Sequence, residues 1–389
     1  MLKPEAIGWA HTHFGRSDCV DLEGLIKEVV PTALVHAGVS ASDIDGVFLG
    51  TYNNGLLPQT FEAGLVGMAI PELRYTPAAR LENACATGSA ALYAALDFIA
   101  SGRGKIALVV GAEKMTMIPP QDAAKLMLCG SYVPEESHFE NGFAGVFASI
   151  AKSYFEKYGD KSKEMAMIAA KNHHNGIANP FAHLRKDLGF DFCNDVSDQN
   201  PYVVAPLRRT DCSPISDGAA ALIIAAPDVS AGALRAVGFR AYSQFNDFMS
   251  LSRRDVTQFS GAARAWAKSL ASAGLTLDDL SLVETHDCFT IAELIEYEAM
   301  GLAEHGEGYR VMRDGITSRE GRLPVNLSGG LKARGHPLGA TGVSQHVMAA
   351  MQLVGEAGDM QLPGATIAGV FNMGGAAVTN YATILERIK

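Results

Sequence analysis

Five short apolar runs along the chain alternate with longer segments of helical pattern. The runs span 46–52, 106–113, 220–226, 282–287 and 365–371, and they are apolar on both faces, as the central strands of a covered sheet are. Helical patterns fall at 22–37, 88–100, 261–273, 290–300 and 341–354. This alternation of strands and helices predicts an α/β fold.

The two halves of the chain resemble each other. Segment 37–47 aligns with segment 273–283 without a gap, and each reads as a helix end with a glycine cap, an acidic turn and a strand. The tripeptide Ala-Thr-Gly opens a helix at 86–88 and again at 340–342. Two matches in the same order predict a duplicated α/β unit.

The α/β pattern breaks down between about 115 and 210. This stretch is rich in proline and polar residues and contains helical pieces near 143–158 and 162–175. We interpret it as a lobe inserted into the first half. An insertion of this length usually covers a functional site.

Composition narrows the class of protein. Of the 389 residues, 48% are hydrophobic and 19% charged, which is typical of a core-forming globular chain. The net charge of −10 argues against nucleic acid as a partner, although a small anionic ligand needs only a few local cations. No secretory signal pattern and no membrane-spanning run are evident, and the six cysteines are scattered. We therefore expect a reduced, cytoplasmic protein without a membrane partner.

Cys85 and His336 are the first two candidates for chemistry, because each directly precedes a helix that is almost free of charge. The positive end of a helix dipole lowers a thiol pKa and makes Cys85 a better nucleophile, although a buried structural cysteine is the simpler interpretation. His336 lies between Gly335 and Pro337, which fix a tight loop, and a fixed imidazole suits a general base. The alternative is a phosphate-binding glycine loop with a bystander histidine, but neither nucleotide-binding glycine pattern is present.

His286 and Cys288 lie at the end of an apolar run. Residues i and i+2 of an extended segment face the same way, so both side chains are expected to enter one pocket. Together with Cys85 and His336 they make a nominal Cys₂His₂ set, but none of the close cysteine pairs of structural zinc sites is present. We therefore expect no metal.

Five motifs in this order resemble the thiolase family, and best its sterol-carrier-protein-type branch. They are NACATG (83–88), HDCF (286–289), NLSGG (326–330), GHPLGATG (335–342) and NMGGA (372–376). The resemblance implies two similar βαβαβαββ halves in a five-layered α/β/α/β/α sandwich, with a loop domain inserted in the first half. The expected boundaries are 1–114 with 211–230 for the N-terminal half, 115–210 for the loop domain and 231–389 for the C-terminal half.

The resemblance also implies roles for individual residues. Cys85 is the expected nucleophile that takes up the acyl group, and His336 holds it as a thiolate and helps bind the thioester oxygen. The backbone N–H groups of Cys85 and Gly374 form an oxyanion hole. His286 joins His336 in a second oxyanion hole for an enolate, and Cys288 moves the α-carbon proton.

One position departs from most thiolases, which carry a second catalytic cysteine in a C-x-G turn near the C-terminus. Here that turn reads Asn372-Met373-Gly374, without a thiol. In the sterol-carrier-protein type the HDCF cysteine takes over this role, and Cys288 is that cysteine.

The implied function is thiolysis of 3-ketoacyl-CoA by CoA, or the reverse Claisen condensation, by a homo-oligomer (dimer or dimer of dimers) that uses CoA as a substrate and holds no permanent cofactor. Two alternatives stay open. One is a thiolase-like retro-aldolase, a class that tends to lose the thiolase cysteines, and the other is a non-catalytic CoA- or lipid-binding homologue. Candidate cations for the CoA phosphates are Arg208, Arg209, Lys332, Arg334 and the segment 183–186.

Overall fold

The computed structural model describes residues 3–389 and contains eleven β-strands among them. The strands are β1 (Glu5–His11), β2 (Gly46–Gly50), β3 (Ala78–Leu81), β4 (Ile106–Glu113), β5 (Tyr202–Val204), β6 (Leu207–Arg208), β7 (Gly218–Ala225), β8 (Val237–Asn246), β9 (Leu282–Glu284), β10 (Ile367–Gly374) and β11 (Thr379–Arg387). All five strands predicted from apolar runs are present. Five strands were not predicted, namely β1, β3, β5, β6 and β8.

Helices connect most of these strands. They are α1 (Leu22–Ala37), α2 (Leu65–Ala69), α3 (Thr87–Ala100), α4 (Pro120–Leu128), α5 (Val133–Glu136), α6 (Phe143–Tyr158), α7 (Ser162–Gly176), α8 (Gly189–Asn194), α9 (Pro227–Ser230), α10 (Ser260–Ala273), α11 (Thr290–Met300), α12 (Gly308–Arg313), α13 (Gly330–Arg334) and α14 (Leu338–Val354). Among residues 3–389, no helix combines the length and the apolar character that crossing a membrane requires.

The strands form two groups that meet at one short seam. The first group has the order β3-β2-β4-β7-β1 and the second the order β8-β11-β10-β9. β1 and β8 connect them through only two residue pairs, Glu5 with Gly238 and Ala6 with Val237. β2 runs parallel to β3 and β4, whereas β7 is antiparallel to both β4 and β1, so the sheet is mixed.

Helices fill the space between and outside the two strand groups. α1 and α2 cover the outer face of the first group, α3 and α14 pack against each other between the groups, and α10 with α11 covers the second group. Three hydrophobic cores correspond to these interfaces. The arrangement confirms the five-layered α/β/α/β/α sandwich.

The central pair of helices is held together by glycine contacts. A Cβ atom on Gly88 of α3 would lie 2.7 Å from the backbone nitrogen of Val343, and a Cβ on Gly342 of α14 would lie 2.3 Å from that of Ser89. The two helix backbones can therefore approach only because both positions lack a side chain. Both helices begin next to a predicted reactive residue.

The segment between β4 and β7 contains α4 to α8 and the small β5–β6 hairpin. Its predicted helices at 143–158 and 162–175 are α6 and α7. α7 packs against α11 and α13, and α6 also contacts α11. The lobe thus lies against helices of the second half, while the domain boundaries themselves stay a prediction.

Candidate active site

Cys85 lies in a tight turn between β3 and α3. The preceding residue, Ala84, has a φ of 50°, a left-handed conformation that is uncommon for alanine. The Thr87 hydroxyl accepts from the Asn83 N–H at 2.8 Å and donates to the Ala84 carbonyl at 2.7 Å, which closes the turn. These contacts present the Cys85 side chain two residues before the helix begins.

His336 lies between α13 and α14, also two residues before a helix. Its Nδ1 is 2.7 Å from the hydroxyl oxygen of Thr341, and that hydroxyl donates to the Pro337 carbonyl at 2.9 Å. When the hydroxyl donates to the carbonyl, its oxygen accepts from His336, and the ring proton is then on Nδ1. Nε2 is buried and has no hydrogen-bond partner within residues 3–389.

His286 and Cys288 follow the short strand β9, and Cys288 again lies two residues before a helix, α11. The Nδ1 of His286 is 2.8 Å from the side-chain nitrogen of Asn372. The intervening Asp287 accepts hydrogen bonds from the Leu331 and Lys332 N–H groups at 2.6 and 3.1 Å, so it ties this loop to α13. As for His336, the Nε2 of His286 is buried and without a partner in the described part of the chain.

The structure brings three of the four predicted side chains into one cluster. Ligand-type atoms of Cys85, His286 and His336 lie within 4.8 Å of one another. The two imidazole rings are 5.0 Å apart and nearly perpendicular, at 83°. The spacing would also allow these three groups to hold a metal ion, whereas Cys288 is not part of that set.

A cavity of about 270 Å³ opens onto this cluster. Cys85, Cys288 and His336 lie in its wall, together with Gly375. Most of the remaining lining is apolar and includes Met115, Met127, Phe143, Phe147, Phe289 and Leu338. The reactive groups therefore lie in an apolar pocket, largely walled by the inserted segment, as small-molecule sites commonly are.

Burial governs the ionisation of these groups. It raises the pKa of the Cys85 thiol to about 12, although the N–H groups of Gly375 and of Cys85 itself partly offset this by hydrogen bonding to the sulfur. Burial, helped by the nearby Arg334, lowers the pKa of His336 to about 3. In the free protein this pair is therefore a neutral thiol and a neutral imidazole. Burial also raises the pKa of Cys288 well above its ordinary value.

Comparison with known proteins matches the architecture to one family. The chain matches the model of the thiolase N-terminal domain over residues 7–228 and that of the thiolase C-terminal domain-like family over residues 243–387. The chain belongs to the thiolase family. The resemblance inferred from the five motifs is thereby confirmed.

Two relatives of this thiolase carry different names. It is 36% identical over its whole length, and over the whole relative, to an acetyl-CoA acetyltransferase of Methanothermobacter thermautotrophicus. It is 32% identical to sterol carrier protein 2 of Oryctolagus cuniculus, with 94% of this chain and 68% of that protein covered.

Two solved structures show the same fold. The Ltp2-ChsH2(DUF35) aldolase superposes with a TM-score of 0.84 at 21% identity, covering 99% of this chain and 98% of that one. An acetyl-CoA acetyltransferase from Syntrophomonas wolfei gives 0.74 at 20% identity and full coverage of both chains. At these identities the likeness concerns the fold alone.

The glycine predicted for the first oxyanion hole, Gly374, is followed by a glycine that lies in the wall of the cavity. Gly374 of the thiolase is the last residue of β10, and a Cβ there would meet the Asn83 carbonyl at 2.4 Å. Gly375, with a φ of 64°, lies in the pocket wall and directs its N–H towards Cys85. Gly375 is therefore a second candidate donor beside the predicted Gly374, whose role stays a prediction.

Three of the predicted phosphate-binding cations are buried structural residues instead. Arg208 pairs with Asp211 at 2.7 Å, and Lys332 donates to the Cys212 carbonyl at 2.7 Å. Arg334 pairs with Glu284 at 3.1 Å and is fully buried. They stabilise loops around the site, and none is available to a phosphate at the surface. Of the other candidates, Arg209, Arg185 and Lys186 are exposed.

Sequence reasoning missed the residues that orient the two histidines, Thr341 and Asn372. Thr341 stood within a quoted motif, and Asn372 was noted only as a position that lacks a thiol. Their roles depend on hydrogen bonds to residues that the local pattern does not pair with them. A polar side chain among the small and apolar residues of these motifs was the one available signal.

Proposed function

We propose that this thiolase is an acyl-CoA C-acyltransferase that exchanges an acyl group between 3-ketoacyl-CoA and CoA through an acyl-Cys85 intermediate. The observation that supports this most is the cluster of Cys85, His286 and His336 at one end of an apolar cavity, with Cys288 in the same wall. Acyl transfer with C–C cleavage needs a nucleophile, a base, donors for two oxyanions and a proton carrier.

In the first step the Cys85 sulfur attacks the 3-keto carbon and its proton passes to Nε2 of His336. Because both groups are neutral in the free protein, the proton moves as the substrate is attacked, and no preformed ion pair is required. The N–H groups of Cys85 and Gly375 donate to the oxygen that becomes negative. The C2–C3 bond then breaks, leaving a thioester on Cys85 and an acetyl-CoA enolate.

In the second step the enolate is protonated. Its oxygen accepts from His286 and from His336, which now carries a proton on Nε2. The Cys288 thiol gives its proton to C2, and the product acetyl-CoA departs. The raised pKa of Cys288 means that this thiol holds a proton to give at neutral pH.

In the third step the sulfur of CoA attacks the acyl thioester, and its proton passes to the Cys288 thiolate left by the second step. The shortened acyl-CoA leaves as its bond to Cys85 breaks, and the Cys85 sulfur takes back the proton held on Nε2 of His336. Read backwards, the same steps condense two acyl-CoA molecules. CoA is thus a substrate, and no permanently bound cofactor enters the scheme. The apolar wall of the cavity suits the hydrocarbon part of an acyl chain. We also propose that the protein is a homo-oligomer and that it is located in the cytoplasm.

The test is an assay of the purified protein with 3-ketoacyl-CoAs of graded chain length and free CoA. We expect thiolysis, and acyl label retained on the protein after quenching. Cys85→Ser is the matched variant, because it removes the thiol with little change in volume, and it should retain no thioester label. Loss of activity with an intact fold would agree with the proposal.

The same assay distinguishes thiolysis from retro-aldol cleavage. A retro-aldolase needs no thiol nucleophile, whereas this chain has both Cys85 and Cys288 in the pocket wall. Cleavage of a β-hydroxyacyl-CoA without thiolysis, unaffected by Cys85→Ser, would overturn the proposal. Binding of acyl-CoA without any turnover would overturn it in favour of a non-catalytic homologue.

A further inference from the structure

Asn372 occupies the position where most thiolases have a second cysteine, and it is fully buried in β10. Its side-chain nitrogen donates to the Cys85 carbonyl at 3.2 Å and lies 2.8 Å from Nδ1 of His286. Its side-chain oxygen accepts from the Ser89 hydroxyl at 2.7 Å. The amide therefore connects the turn that carries the nucleophile to the loop that carries His286.

The orientation of this amide follows from its partners. The Cys85 carbonyl can only accept a hydrogen bond, so the amide atom that faces it must be the NH₂ group. The same NH₂ group faces Nδ1 of His286 and has its second hydrogen available for that contact. Nδ1 is consequently an acceptor. A neutral imidazole has one ring proton, so the proton of His286 is on Nε2.

His336 has the opposite arrangement. The Thr341 hydroxyl oxygen accepts a hydrogen bond from the N–H at His336 Nδ1, so Nε2 of His336 keeps a free lone pair. The two Nε2 atoms that face the cluster therefore differ: that of His336 accepts and that of His286 donates. A base for the thiol and a donor for an enolate oxygen are the two functions that thiolysis asks of this pair.

We propose that Asn372 is a positioning residue that keeps the proton of His286 on Nε2, and so makes His286 a hydrogen-bond donor in the site. The catalytic role of this tautomer rests on the proposed function, but the tautomer itself is a property of the free protein. A second consequence is resistance to zinc. A metal ligand must present a lone pair, and an Nε2 that carries the only ring proton has none to offer.

The direct test is ¹⁵N NMR of histidine-labelled protein, with the His286 signals assigned by their loss in His286→Gln. We expect the wild-type His286 proton on Nε2. His346 is an internal reference for the other tautomer, because its Nδ1 is 2.7 Å from the Gly342 carbonyl and must carry the proton. In Asn372→Asp the carboxylate accepts from Nδ1, so the His286 proton should move to Nδ1. A wild-type proton on Nδ1, or no change in Asn372→Asp, would overturn the proposal.

Zinc titration by calorimetry gives a readout that activity does not influence. Asn372→Asp frees the lone pair of His286 Nε2 and supplies a carboxylate behind the ring, an arrangement that typically changes metal affinity by about 10–100-fold. We expect Asn372→Asp to bind Zn²⁺ at least about tenfold more tightly than wild type, and Cys85→Ser to abolish the gain. Equal zinc affinity in wild type and Asn372→Asp would contradict the tautomer assignment.

Kinetics then separate an effect on His286 from an effect on Cys85. Exchange of labelled CoA into acetyl-CoA needs acylation of Cys85 but no enolate, whereas thiolysis needs both. Losing one oxyanion donor costs about 10²–10³-fold, so thiolysis should fall by that factor in Asn372→Asp while exchange falls less than about tenfold. An equal fall in both would show that Asn372 acts through the Cys85 carbonyl instead. Absence of both activities in wild type would refute the proposed function and leave the tautomer test intact.

Discussion

Thr341→Val is the change that most directly tests the proposed role of His336 as the base. Valine has nearly the shape of threonine but lacks the hydroxyl that accepts from His336 Nδ1 at 2.7 Å and donates to the Pro337 carbonyl at 2.9 Å. The buried Nδ1–H would then have no acceptor. The imidazole can avoid this by moving its proton to Nε2, the atom that takes the proton of Cys85 in the proposed mechanism.

The size of the effect follows from the cost of a buried donor without an acceptor. That cost is about 1–3 kcal/mol, and about 1.4 kcal/mol corresponds to a factor of ten. The fraction of His336 in the base-competent tautomer should therefore fall by about 5- to 150-fold, and the acylation rate with it. We expect this loss in both CoA exchange and thiolysis, since both begin with acylation of Cys85.

The assay is rapid-quench acylation of Cys85 by labelled acetyl-CoA. Thr383→Val is the matched control, because the Thr383 hydroxyl bonds Nε2 of another buried histidine, His346, at 2.9 Å outside the cluster. It should show a comparable loss of stability and no loss of acylation. Thr341→Ser, which keeps the hydroxyl, should restore the rate. Wild-type acylation by a folded Thr341→Val protein would refute the assignment of His336 as the oriented base.

Three further predictions concern the proton carrier, the pH profile and the helix contact. Cys288→Ala should keep the rate of CoA exchange within about tenfold of the wild-type rate while abolishing thiolysis. Near wild-type thiolysis by this variant would mean that another group moves the α-proton. Burial lowers the pKa of His336 to about 3 and raises that of Cys85 to about 12, so the imidazole stays neutral far below pH 6.5. We therefore expect kcat/KM for CoA exchange to be flat between about pH 5.5 and 8.5. A fall in kcat/KM on the acid side near pH 6.5 would contradict this. Gly88→Ala should lower the free energy of unfolding, measured in urea, by about 1–3 kcal/mol, which is the usual cost of overpacking. The reason is that the new Cβ would lie 2.7 Å from the Val343 nitrogen. The control is Gly232→Ala, whose Cβ would have its nearest contact at 3.7 Å and which should change the free energy of unfolding little.

The sequence predicted the elements with a strong local signal and missed those without one. Helix α1 and strand β4 have the predicted bounds, because each is a long segment with a consistent pattern. Strands β1 and β8 were not recognised. In β1 a glycine, Gly8, interrupts a short apolar run that is bounded by Glu5 and His11. The second half of β8 is partly exposed, so neither strand reads as a long buried apolar run.

Non-local geometry accounts for the other differences. The seam between β1 and β8 joins residues more than 200 positions apart through two pairs, and no local pattern encodes it. At the site, motif reasoning assigned Cys85, His286, His336 and Cys288, and the structure gathers the first three. It could not anticipate that Arg334 would be buried against Glu284, since a cation in a glycine-rich loop reads equally well as a surface residue.

The glycine contact between α3 and α14 has a consequence for how this protein diversifies. The two main chains in contact fix the spacing of the helix starts next to Cys85 and His336, the proposed nucleophile and base, with no intervening side chain to vary. The apolar wall of the cavity comes largely from the segment between β4 and β7, which is a separate part of the chain. Substitutions that enlarge, shorten or reshape the pocket can therefore accumulate during evolution without altering the spacing of the reactive atoms, so new acyl specificities can arise on an unchanged catalytic frame.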